Sequence, residues 1–199
     1  PSYTNAGTAC TGTAITFTIT VNPVPQVNQP ANQVICNNTS FLPTNFTTPT
    51  SGGVVMYAWT NNNASIGLGA SGTSNVPAFT GTNATTAAIS GTITVTPTLN
   101  LCAGTPVTYI KTINPRPTVT VPANIAVCSG VTIPATTFTS NLTGTTYSWT
   151  NSNNAIGLGG SGSGDVPAFT ATNTGSAAIS STITVTPVNS NGCTGVSSS

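Results

Sequence analysis

The side chains able to do chemistry are few. They comprise five cysteines (Cys10, Cys36, Cys102, Cys128 and Cys193), one carboxylate (Asp165), one lysine (Lys111) and one arginine (Arg116), with no histidine and no glutamate in 199 residues. General acid–base catalysis needs a titratable pair held in register, and a serine or cysteine nucleophile needs a neighbouring base. One carboxylate without an imidazole supplies neither. A hard-cation site takes several carboxylates, and a zinc site takes clustered Cys or His. A nucleic-acid surface takes many cations. The composition therefore predicts a non-catalytic protein with no catalytic, cofactor or metal residues and no nucleic-acid partner.

The elements that must position the cysteines are organised by an internal repeat. Residues 57–97 read YAWTNNNASIGLGASGTSNVPAFTGTNATTAAISGTITVTP, and residues 147–187 read YSWTNSNNAIGLGGSGSGDVPAFTATNTGSAAISSTITVTP. The offset of 90 is free of gaps, and well over half the positions are identical. Around this block the offset drifts. Cys36 matches Cys128 at 92, Cys102 matches Cys193 at 91, and Asn22-Pro23-Val24-Pro25 matches Asn114-Pro115-Arg116-Pro117 at 92. The chain divides into 1–25 (the closing strand and linker of a preceding or neighbouring repeat), 26–117 (repeat 1) and 118–199 (repeat 2, lacking its own closing strand).

Threonine, at 42 residues, fills alternate positions between apolar ones. Ile15-Thr16-Phe17-Thr18-Ile19-Thr20-Val21 is strictly alternating, the mark of a strand with one buried face. Ile89, Ile93 and Val95 share a face, as do Ile179, Ile183 and Val185, and as do Tyr57 with Trp59 and Tyr147 with Trp149. Gly and Asn clusters punctuate these runs, with a turn near Ile66-Gly67-Leu68. Six to eight short strands in ~90 residues predict an all-β chain of tandem immunoglobulin-like sandwiches. Pro-rich linkers are semi-rigid, so the sandwiches should line up as a rod. No apolar run approaches the ~20 residues of a membrane span, so no membrane insertion is expected. No secretory leader is present either, so the chain is expected to be a mature form or a window of something longer.

Two cysteines at matching places in each repeat favour intradomain pairs, Cys36–Cys102 and Cys128–Cys193, with free thiols as the alternative. By the chain-entropy model such loops stabilise by ~4 kcal/mol, and such bridges place the protein in an oxidising, extracellular location. Cys10, equivalent to Cys102 and Cys193, would find its partner in a preceding copy.

Other residues have both a sharp and a plain reading. Lys111 falls at an inward position, where Ile19 sits in the other copy. An isopeptide bond to an asparagine would need a nearby carboxyl group, so an edge lysine or local bulge is the expectation. Asn37, Asn38, Asn45, Asn63, Asn83 and Asn141 sit in N-x-S/T sequons that arise by chance in such a composition; O-linked sugar on Ser or Thr is the more plausible decoration. Trp59 and Trp149 could stack sugars but are expected in the core. Gly67-Leu68-Gly69 and Gly157-Leu158-Gly159-Gly160 read as turns, not phosphate loops.

The succession Tyr-Ser-Trp-Thr-Asn (147–151), Ile-Gly-Leu-Gly (156–159), Val-Pro-Ala-Phe-Thr-Ala-Thr-Asn (166–173), Thr-Ile-Thr-Val-Thr-Pro (182–187) and Gly-Cys-Thr-Gly (192–195) resembles the PKD-like repeats of large Bacteroidota cell-surface proteins. The tail Phe17–Pro23 resembles the closing strand of that unit. The resemblance implies an immunoglobulin-like fold, export through type IX secretion, and a place in adhesins, gliding-associated proteins or extracellular fibres. It implies no activity. The acidic turn after the Trp of PKD domains is absent, so no ion site is carried over.

These readings converge on an extracellular, cell-surface structural repeat, a building block of a filament or stalk. The alternative is an adhesin segment whose loops bind glycan or protein ligands; the copies differ most between 37–53 and 129–144. Ile15, Phe17, Ile19 and Val21 are expected to act as a strand donor to the edge of 118–199. The donor strand would come from another copy, head-to-tail, or from a flanking repeat of one longer chain. Both accounts stand at this point.

Overall fold

The computed structural model describes residues 2–5 and 7–199. It begins with a hairpin of β1 (Ser2–Asn5) and β2 (Thr8–Thr11). Residues 12–32 then run without strand pairing. Repeat 1 contains β3 (Gln33–Cys36), β4 (Ser40–Phe41), β5 (Met56–Asn61), β6 (Ser71–Thr73), β7 (Phe79–Thr80), β8 (Ile89–Leu99), β9 (Cys102–Ala103) and β10 (Val107–Asn114). Repeat 2 contains β11 (Thr132–Ile133), β12 (Thr146–Asn151), β13 (Ser161–Ser163), β14 (Phe169–Thr170) and β15 (Ile183–Val188).

In repeat 1 one sheet has the order β3-β10-β8-β5-β6, with β9 folded back on β8, and it faces the pair β4-β7. The first strand lies parallel to the last, Gln33 opposite Lys111 and Cys36 opposite Asn114, while β10 runs antiparallel to β8. This is an immunoglobulin-like sandwich. Its inner tryptophan, Trp59, sits on the third long strand beside the strand that pairs the closing one, as the fold prescribes. The alternation read from the sequence is what closes the core: along β8, Gly91, Ile93, Val95, Pro97 and Leu99 are buried while the residues between them are less so.

Each core is centred on its tryptophan. Trp59 packs with Phe41, Phe46, Ile66, Val95 and Tyr109, and Trp149 with Phe138, Leu158, Val166 and Val185. The strand opposite each indole carries a glycine for a steric reason. A Cβ on Gly72 would lie 2.3 Å from the Trp59 ring, and one on Gly162 would lie 2.3 Å from Trp149. The turn anticipated near Ile66 is a short 3-10 helix, Ala64–Ile66, matched by Asn154–Ile156.

Two expectations are corrected by this fold. The run Ile179–Val185 does not form one strand: β15 begins only at Ile183, whereas β8 begins at Ile89. The residues lost are those that β10 pairs in repeat 1, and no such partner lies beside repeat 2. Lys111 is neither an edge lysine nor at a bulge. It lies in unbroken register between Gly91 and Gln33 and is fully buried.

Gly72→Ala should cost about 1–3 kcal/mol, the range for overpacking a rigid core. Urea melts followed by Trp fluorescence check this; an unchanged midpoint would contradict the assigned contact.

Candidate functional site: an open strand slot and the repeat junction

The difference between the two sandwiches defines the site. In repeat 1, β10 lies between β3 and β8 and sends Tyr109, Lys111 and Ile113 into the core. In repeat 2 the equivalent place, between 125–128 and 179–185, is open over most of its length. Ser198 enters it, exchanging backbone hydrogen bonds of 2.8 and 3.0 Å with Val185, as Val107 is registered with Val95 in repeat 1. Residues 125–128, the counterpart of β3, have no strand partner among the described residues, and Ile125 and Val127 are exposed. What remains is a groove of about 470 Å³ lined by Ile125, Ile133, Ile156, Phe169, Ile183 and Val185. The same residue types are sealed in repeat 1: Ile66 and Ile93 are fully buried, but their equivalents Ile156 and Ile183 are only partly so.

The expected donor strand is the mirror of this defect. Ile15, Phe17, Ile19 and Val21 are 92%, 84%, 75% and 87% exposed, and no described residue forms a strand pair with their backbone. At an offset of 92 they correspond to Val107, Tyr109, Lys111 and Ile113.

The cysteines are not arranged as expected. The disulfide joins Cys36 of repeat 1 to Cys193 of repeat 2, with Cα atoms 5.6 Å apart, and Cys102 and Cys128 are free. The intradomain pairs fail on geometry. Cys36 lies opposite Asn114 at one end of β10, whereas Cys102 follows Leu99 in the turn that leads into its other end. Seven steps of ~3.4 Å along β10 hold the two ends roughly 24 Å apart, far beyond the ~7 Å limit for bridged Cα atoms. Cys128 and Cys193 are separated in the same way. The side chain of Cys10 lies outside the described residues.

Arg116, read from the sequence only as part of a linker, clips the junction. Its Nε donates to the Asn37 carbonyl at 2.6 Å and its Nη1 to the Thr194 carbonyl at 2.5 Å. Asn189 Nδ2 adds a buried bond to the Pro115 carbonyl at 2.8 Å. The remaining charged groups are absorbed locally. Asp165 Oδ1 accepts from the Phe138 amide at 3.0 Å, as the neutral Asn75 does from Phe46 in the other repeat. Lys111 Nζ donates to Gln33 Oε1 and Thr44 Oγ1 and lies 4.6 Å from the Phe41 ring centroid. Burial lowers its pKa to about 8. Neither partner is legible in the sequence: Gln33 meets Lys111 through the parallel register of β3 and β10, and Thr44 comes from the segment after β4 that bridges to Val76. Among the described residues no three His, Cys, Asp or Glu side chains come together, and no helix is long and apolar enough to cross a membrane.

No protein-family model and no curated protein matches the chain. Solved structures resemble it at low identity. A two-domain crystal structure, DIP-gamma IG1+IG2, is 11% identical with a TM-score of 0.45, over 89% of this chain and 96% of that one. The FN1–FN3 domains of chicken CNTN1 give 14% identity and a TM-score of 0.37 over 89% and 62%, and the titin Ig tandem A164–A165 gives 10% and 0.26 over 87% and 93%. The fold assignment rests on the strand order above.

The lysine generates a pH prediction. Its folded pKa lies below the unfolded value near 10.5, so the unfolded chain binds the extra proton between pH 8 and 10.5, and stability rises with pH across that window. Relative to Lys111→Met, the wild-type chain should gain ~2 kcal/mol in unfolding free energy between pH 7 and pH 10. Tyr57 and Tyr109, which burial pushes up, are common to both proteins and cancel. Denaturant melts at the two pH values check this; a constant difference would contradict a neutralised lysine.

Proposed function

We propose that the chain is a non-catalytic structural module of an extracellular filament, whose copies join head-to-tail when residues 13–21 of one fill the open slot of repeat 2 in the next. The PKD-like sequence pattern and the disulfide support an extracellular, cell-surface setting. A loose strand of matching pattern added to an open edge is an established mode of recognition, and a donor and an acceptor that flank repeat 1 make a head-to-tail contact that can propagate.

The observation that carries this reading is a matched pair of differences. In repeat 1 the register partners Lys111 and Gln33 form a buried polar pair. At the same offset of 92, the donor strand has Ile19 in place of Lys111, and repeat 2 has Ile125 in place of Gln33. Polar meets polar inside repeat 1; apolar would meet apolar across the junction. Val21 and Val127 likewise stand where Ile113 and Ile35 are paired. Strand 13–21 is therefore suited to the slot of repeat 2. Ile15 would take the place of Ser198 opposite Val185, exchanging one pair of backbone bonds for another.

Magnitudes set the character of the contact. Four apolar side chains buried at ~1.5–3 kcal/mol each give roughly 6–12 kcal/mol gross. Association costs about 4–15 kcal/mol in lost freedom and ordering. The strand alone is thus close to balanced, and assembly should depend on concentration.

Size-exclusion chromatography with light scattering, under reducing conditions, should show masses rising through multiples of the chain with concentration. Ile19→Lys should shift the distribution to monomer by at least tenfold in concentration, and Ile125→Gln added to it should recover part of the loss. A monomer mass at every concentration would overturn the reading.

A further inference from the structure

Among the described residues Cys102 and Cys128 are free thiols, and on the head-to-tail reading rests one further step. We infer that Cys102 of one copy forms a disulfide with Cys128 of the next, repeating between molecules the bond that Cys36 and Cys193 make within one.

The equivalence is positional. The observed bond links the turn region at the end of β3 in repeat 1, where Cys36 is the last strand residue, to the turn after β15 in repeat 2. Cys128 occupies the first of these turns in repeat 2, and Cys102 the second in repeat 1. Cys128 is exposed and Cys102 half-buried, both as thiols.

The linkers show that the two turns are also prepared alike. In repeat 2, a Cβ on Gly195 would lie 1.9 Å from the Pro117 carbonyl oxygen, so the linker rests directly on the Cys193 turn. In repeat 1, a Cβ on Gly104 would lie 1.8 Å from the Pro25 carbonyl oxygen, so the N-terminal linker rests on the Cys102 turn in the same way. Both glycine amides donate back across their turns at 2.8 Å, Gly104 to Pro97 and Gly195 to Pro187. The Cys102 turn is already dressed as a junction, with strand 13–21 leading out of it. When that strand fills the neighbour's slot, Asn22 falls opposite Cys128 as Asn114 falls opposite Cys36. Cys128 then meets the Cys102 turn in the geometry that holds Cys36 against Cys193.

The new junction lacks the arginine clip, because Val24 stands where Arg116 does. A covalent bond there replaces the two hydrogen bonds that Arg116 supplies between the repeats. Formation needs an oxidant, and the class is a disulfide, small or protein-borne. One thiolate attacks the oxidant to give a mixed disulfide, and the other displaces it. Two protons and two electrons leave the cysteines, and the oxidant's disulfide is released as two thiols. Every junction of the filament is then bridged, alternately within and between molecules.

The test uses the full chain in a Cys10→Ser background with oxidised and reduced glutathione. Non-reducing denaturing electrophoresis should show a ladder of whole-number multiples that collapses on adding dithiothreitol. In a mixture of isotope-labelled and unlabelled chains, peptide mapping should find Cys128 joined to Cys102 across the two labels. Cys102→Ser and Cys128→Ser should each stay monomeric on the gel alone, yet yield a single covalent dimer when mixed, since each retains one half of the bond. A ladder that persists in either variant, or Cys102 and Cys128 that remain alkylatable in assembled oxidised samples, would overturn the inference. Light scattering separates the two claims. Oligomers with alkylatable thiols reject the disulfide and keep the strand; a covalent ladder unaffected by Phe17→Asp rejects the strand.

Discussion

A strand inserted between β3 and β8 is the condition on which the rest of each sandwich depends. In repeat 1, β10 meets it, giving parallel pairing to β3, antiparallel pairing to β8 and three fully buried side chains. Where nothing equivalent is present, the consequences spread beyond the slot. Residues 179–182 lack strand geometry, residues 125–128 lack the sheet partner that β3 has, and Ile156 and Ile183 are only partly buried. Closely related sequences thus give two degrees of completeness, because backbone groups and apolar faces in a sheet are satisfied only in pairs.

Much of this fold was legible in the alternation of Thr with apolar residues and in the 90-residue repeat. Trp59 and Trp149 were placed correctly in the cores, and the turn near Ile66 was found, because both depend on local pattern. The cysteine pairing was not legible. Equivalence within a repeat says which residues correspond, but not which end of the sandwich each occupies, and here the two cysteines of one repeat lie at opposite ends. The short β15 and the burial of Lys111 escaped for a related reason: both depend on the strand lying alongside. A lysine inside looks wrong until Gln33, Thr44 and the ring of Phe41 are known to surround it.

The scarcity of charge has its own effect on recognition. With one carboxylate and two cations among its side chains, the chain presents little long-range field to steer a partner or to be screened by salt. In the proposed assembly, specificity would come from side-chain shape and backbone register, including Ile19 rather than Lys111 at one strand position. The polar work at the repeat junction is done by single groups, Arg116 and Asn189, that address backbone carbonyls and so tolerate change in the side chains around them.

The bond between Cys36 and Cys193 also determines how the molecule carries tension. The two sulfur atoms close a loop with a sequence separation of 157 residues. A pull applied before Cys36 and after Cys193 passes through the sulfur bridge and bypasses nearly all of both sandwiches. Even if every strand between them came apart, that pull could not draw out the loop, which would otherwise yield roughly 500 Å of slack at ~3.3 Å per residue. Tension along that path is carried by the covalent tether between Cys36 and Cys193, not by the strands of either sandwich.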